Sequence, residues 1–120
     1  MIKSIKKIEF SIGGFSQGNK TYRVEESAIT CFEEAGYLVS KPPEMTEETP
    51  LSQEQQNDLI SLFNQLGFLN WEKSYWENIC DGEQWELMIT YNGNLRKKVE
   101  GSNAYPKGFR KIERLLKRLI

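Results

Sequence analysis

The sequence predicts an α+β fold: a two-layer sandwich in which an antiparallel-rich sheet of about five strands carries two helices on one face, in the order β-β-β-α-β-β-α. Three observations carry this expectation. Apolar and polar residues alternate with a period of two in several short runs, apolar residues recur three and four positions apart in two others, and Gly, Asn and Pro punctuate the joints. A chain of 120 residues supports one hydrophobic core, so it is read as a single domain over residues 1–120.

The first strand falls within Ile2 to Ile12, where Ile8, Phe10 and Ile12 alternate with polar residues. Gly13-Gly14 and Ser16 to Asn19 interrupt it, and Thr21 to Val24 resumes the alternation, which predicts a hairpin with a long loop. That loop, GGFSQGN, lacks the phosphate-binding GxxxxGK[ST] pattern and leads into a strand rather than a helix, so it is not read as a phosphate cradle. Ala28 to Phe32 is β-prone and makes the third strand, Glu33 to Gly36 a turn, and Tyr37 to Val39 a short extension. Lys41 to Pro50, with three prolines and three glutamates, reads as a surface connection without regular structure.

Ser52-Gln53-Glu54-Gln55 fits a capping box, so the first helix starts there, with Leu59, Leu62, Phe63 and Leu66 on its apolar face. Gly67 ends it and Phe68 supplies the hydrophobic contact beyond. Leu69 to Trp71 and Tyr75-Trp76 form an aromatic connector, read first as a lid on the core and alternatively as an exposed binding patch. The best-defined unit follows. Trp85, Leu87, Ile89 and Tyr91 alternate with polar partners, Asn92-Gly93 turns, and Leu95, Lys97 and Val99 alternate with Arg96, Lys98 and Glu100. Asn-Gly between alternating runs is a strong hairpin signal because both residues tolerate positive φ. Gly101 to Pro106 is a turn-rich loop, and Phe109, Ile112, Leu116 and Leu119 give the second helix its apolar face.

The segment DGEQWELMITYNGNLRKKVEGSNAYPKGF resembles the end of a loose group of small, uncharacterised bacterial proteins. There an Asp-Gly precedes a Trp-containing strand, a hairpin follows, and a Gly-Ser-Asn-x-Tyr-Pro loop opens the last helix. The matching residues are Asp81, Gly82, Trp85, Gly93, Gly101, Ser102, Asn103, Tyr105, Pro106 and Phe109. The resemblance implies an α+β fold and a bacterial origin, and it carries no known activity.

Composition narrows the chemistry. The chain has no histidine, which removes imidazole-based acid/base and nucleophilic catalysis and His-containing zinc sites. Cys31 and Cys80 are too far apart in sequence for a CxxC pair and are read as small core residues. The adjacent pairs Glu25-Glu26, Glu33-Glu34 and Glu47-Glu48 point apart on an extended chain, and no EF-hand loop is present, so neither a metal nor a cofactor is expected. No run approaches the length of a membrane span or a signal peptide, and a cytoplasmic protein without membrane attachment is expected.

The net charge of −1 conceals a segregation. Residues 1–24 carry +4, residues 25–86 carry −12 and residues 87–120 carry +7. Either the basic ends pair with the acidic middle in the fold, or the surface is two-signed and steers a charged partner. From this layout and the lack of a catalytic constellation the first expectation is a small protein-binding module of inhibitor, immunity or adaptor type, with homodimerisation a further option. The alternative is a nucleic-acid binder acting through the basic residues Arg96, Lys97, Lys98, Arg110, Lys111, Arg114, Lys117 and Arg118. A third reading gathers Asp81, Ser102, Asn103 and Tyr105 at one end of the last hairpin as a site for a small polar ligand or an enzymatic centre, against the plainer role of capping the turn.

Overall fold

The computed structural model describes residues 1–14, 18–36, 41–78 and 82–120. Among these residues eight strands form one sheet: β1 (Ile5–Gly14), β2 (Gly18–Glu25), β3 (Ala28–Glu34), β4 (Glu44–Met45), β5 (Thr49–Pro50), β6 (Ser74–Trp76), β7 (Gln84–Tyr91) and β8 (Leu95–Ser102). The helices are α1 (Gln53–Gln65) and α2 (Phe109–Arg118). The order across the sheet is β4-β3-β2-β1-β7-β8-β6, with β5 also on β3. Every pairing is antiparallel except β6 with β8, which is parallel.

The α+β class with two helices stands, but the sheet has eight strands where about five were expected, in the chain order β-β-β-β-β-α-β-β-β-α. The five long strands are those the sequence marks, although β1 and β2 continue pairing through Gly13-Gly14 and Gly18-Asn19, where a loop was expected. The additional three are two or three residues long, too short to show a period, and lie in the proline-rich connection and the aromatic connector. The third strand also runs on through Glu33 and Glu34, where a turn was expected. The extension at Tyr37 to Val39 and the thiol of Cys80 lie outside the described residues.

Register explains how the sheet makes one apolar face. Ile8 faces Val24 on one side and Ile89 on the other, Phe10 faces Tyr22 and Leu87, and Ile12 faces Trp85. Successive side chains of a strand point to opposite faces, so these rows form one surface and the intervening polar residues the other. Onto the apolar surface pack Leu59 and Phe63 of α1 and Phe109, Ile112 and Leu116 of α2, all in one core cluster. The Phe109 ring meets Phe10 edge-on at 5.6 Å and tilts against Trp85 at 4.5 Å, which seats α2. Phe10, Phe63, Phe68 and Phe109 are essentially fully buried, each worth roughly 2–3 kcal/mol of transfer free energy. Among the described residues no helix covers the opposite face, which is mostly polar but also carries Phe32, Met45 and Met88.

Local signals act as the sequence indicates. The Ser52 hydroxyl accepts from Gln55 N–H, while the Gln55 side chain accepts from Ser52 N–H. Asn92 and Gly93 both take positive φ, 47° and 94°. Two asparagines then pin the N-terminal segment: Asn64 accepts from Ile2 N–H and donates to Ile2 C=O, and Asn92 accepts from the amides of Lys3 and Ser4. Among the described residues no helix is long and apolar enough to cross a membrane.

Candidate functional site

The end of the β7–β8 hairpin, where the sequence gathers Asp81, Ser102, Asn103 and Tyr105, is organised around a different residue, Glu83. The Tyr105 hydroxyl donates to Glu83 Oε1 at 2.6 Å, and Arg110 Nη2 donates to the same oxygen at 2.6 Å. The guanidinium lies over the Tyr105 ring, 4.7 Å from its centroid, and Nη1 reaches Glu113 at 2.9 Å. Asn103, at φ 58°, accepts from Glu83 N–H through Oδ1 and donates its own N–H to Glu83 C=O. Asn103 and Tyr105 are thus joined through Glu83, whereas Ser102 sits on the polar face beside Gln84. Asp81 lies outside the described residues.

These bonds give Asn103 and Tyr105 a structural role at this edge. Burial first, and then the hydrogen bond to Glu83, push the Tyr105 phenol up to about 12, so it stays protonated and donating at neutral pH. Asn103 closes the last rung between β7 and β8 and fixes where the chain leaves for α2. Nothing in the sequence marks Glu83, because its role depends on a loop and a helix folding back over it.

The basic residues do not form one patch. Register puts Arg96 and Lys98 on the open polar face, with Lys98 Nζ 3.4 Å from Glu86. Lys97 points to the other side, into the helical layer, where its ammonium donates to Leu69 C=O and Trp71 C=O at 2.7 Å each and lies 5.6 Å from the Phe68 centroid. Burial holds its pKa below the usual lysine range, partly offset by Glu72. Arg110, Lys111, Arg114, Lys117 and Arg118 lie on α2, across the sheet from Arg96 and Lys98. Several opposite charges from different segments do meet: Lys7 with Glu25, Lys98 with Glu86 and Arg110 with Glu83.

Two concave surfaces take in the basic helix and the exposed aromatic. A groove of about 900 Å³ runs between the helices, lined by Asp58, Leu62 and Leu115 together with Lys111, Arg114, Lys117 and Arg118. Lys117 is 3.9 Å from Glu113, and Lys111, Arg114 and Arg118 have no ion pair among the described residues. The second surface is a trough of about 520 Å³ on the open sheet face, where β6, β7 and β8 adjoin β1. Trp76, 72% exposed, is part of its wall. The aromatic connector is therefore divided. Leu69, Trp71 and Tyr75 pack on the core as a lid, and Trp71 Nε1 donates to Leu66 C=O, whereas Trp76 faces out.

Residues 37–120 match the profile of a family described as a domain of unknown function (DUF6438). No curated protein matches the chain.

Proposed function

We propose that this chain, which belongs to the DUF6438 family of domains of unknown function, is a protein-binding module that holds an acidic segment of its partner in the groove between α1 and α2. The observation that carries this reading is the convergence of Lys111, Arg114, Lys117 and Arg118 on one groove whose apolar lining is Leu62 and Leu115. Apolar floor and cationic rim together suit an acidic peptide with leucine-like anchors: the anchors enter the floor, and the carboxylates meet the rim. The cations also raise the association rate for an acidic partner, an effect that weakens with salt.

A nucleic acid fits less well. A phosphate backbone wants a continuous cationic track, usually with aromatic rings for the bases. Here Arg96 and Lys98 lie across the sheet from α2, Lys97 is turned inward, and Arg110 is engaged by two carboxylates. No aromatic residue lines the groove among the described residues.

The test is selection from a peptide array that varies charge and hydropathy independently, followed by binding measurements on the selected peptides. Acidic peptides with spaced leucines are expected, and the double variant Arg114→Glu, Arg118→Glu is expected to weaken them by about tenfold or more. Selection without acidic bias, or binding indifferent to that variant, overturns the reading.

A further inference from the structure

On the open face of the sheet, direct cross-strand pairs of charged residues follow a rule with one exception. Lys7 faces Glu25 and Glu9 faces Arg23, opposite signs in both cases. Glu86 faces Glu100 across β7 and β8. Like charges directly opposite one another destabilise a sheet. Lys98 relieves Glu86 in part at 3.4 Å, and Glu100 has no ion pair among the described residues. Both carboxylates line the 520 Å³ trough.

The same trough has an exposed indole. In the parallel β6–β8 ladder Ser74 pairs with Glu100 and Trp76 with Ser102, so Trp76 stands one step along the sheet from the two carboxylates, on the side away from Lys98. Ser11, Ser74 and Ser102 add hydroxyls to the lining, and Asn19 and Gln84 add amides. A large ring left 72% exposed beside two opposed carboxylates combines the two elements that recognise an organic cation: negative charge to balance it and a π face to cover its apolar side.

We propose that this trough binds a small organic cation, an ammonium or guanidinium group on a compact body, with Glu86 and Glu100 as counter-charges and Trp76 as the aromatic wall. The cation sits between the carboxylates and removes their repulsion. The site lies across the sheet from the helical groove and stands independently of it.

Agmatine and tetramethylammonium are the probes, titrated at constant ionic strength and followed by intrinsic fluorescence and by the indole N–H resonance of Trp76. Sodium chloride and cellobiose serve as comparisons. Saturable binding of the organic cations is expected, weakened about tenfold by Glu100→Gln and by Trp76→Ala. Lys98→Gln, which frees Glu86, is expected to tighten binding. Without ligand, Glu100→Gln is expected to raise the urea midpoint, because it removes a like-charge pair, so weaker binding by this variant cannot be misfolding. Absence of a saturable response to either cation, a response reproduced by sodium chloride, or binding unchanged in Glu100→Gln overturns the proposal. Saturable binding of cellobiose alone reassigns the trough to a neutral polyol.

Discussion

Trp85 and Gly101 face each other across the β7–β8 ladder, and the indole of Trp85 lies directly on the Gly101 backbone, where a β-carbon would collide with it. The indole is fixed from the other side by its Nε1–H, which donates to Ala104 C=O at 3.0 Å. Gly101→Ala must displace the ring from both Phe109 and that carbonyl. A loss of roughly 1–3 kcal/mol is expected, read as a lower urea midpoint. An unchanged midpoint would mean that the indole has another place to go.

Asn92 has two roles that substitution can separate. Its φ of 47° sets the hairpin turn, and its side chain binds Lys3 N–H, Ser4 N–H and Met1 C=O. Asn92→Gly keeps the turn and loses the clamp, which should cost about 1–2 kcal/mol. Asn92→Ala loses both and should cost more. Hydrogen exchange should accelerate at the Lys3 and Ser4 amides in both variants, while the denaturation midpoints rank native, Gly, Ala.

Lys97 holds the 3-10 turn at Phe68–Asn70 from the sheet side. Lys97→Met keeps the aliphatic packing but leaves the Leu69 and Trp71 carbonyls without this donor, at an expected cost of roughly 1–3 kcal/mol in chemical denaturation. The pH dependence has a definite sign. Burial lowers the folded-state pKa of Lys97, so the folded protein releases this proton before the unfolded chain does. The advantage of the native protein over Lys97→Met should therefore grow as pH rises towards the unfolded lysine value of about 10.4, and a midpoint difference that shrinks over that range contradicts the placement.

Tyr22 and Tyr105 are both pushed up to about 12, in each case mainly by burial. Their folded-state values exceed the unfolded value of about 10, so the stability linked to them is present below pH ~10 and is lost as pH rises towards ~12. A spectrophotometric titration of the native chain, which has five tyrosines, should show late ionisation that collapses to the ordinary value in denaturant. Tyr105→Phe should remove part of the late phase; if the whole late phase survives, burial and the contact with Glu83 do not hold the Tyr105 phenol.

What could be read from the sequence follows the length scale of each signal. The hairpin at Asn92-Gly93, the capping box at Ser52 and the apolar stripes of both helices involve residues a few positions apart, and the structure shows each of them. β4, β5 and β6 were not legible, because two or three residues cannot display a period. Leu95 continues the alternating run but lies 55% exposed at the tip of the hairpin, beyond the reach of either helix. The candidate sites were legible only in pieces. The cations were visible as a group, but their division between the two faces depends on strand parity and on how α2 packs. Trp76 was visible within an aromatic run, yet its neighbours Glu86 and Glu100 come from other strands. Glu83, which joins Asn103 to Arg110, gave no signal at all.

The three short strands also govern how the molecule behaves in company. A long edge strand offers a row of free N–H and C=O groups to any passing extended chain, a starting point for runaway polymerisation. β3 meets β4 and β5 along its outer side, and one of the four residues that they supply is Pro50, which has no N–H to offer. At the far edge β6 covers β8 for only three residues. The margin at β3 therefore ends in fragments too brief to template another strand, whereas Leu95 to Val99 of β8 have no strand on their outer side among the described residues and leave that edge open to an added chain.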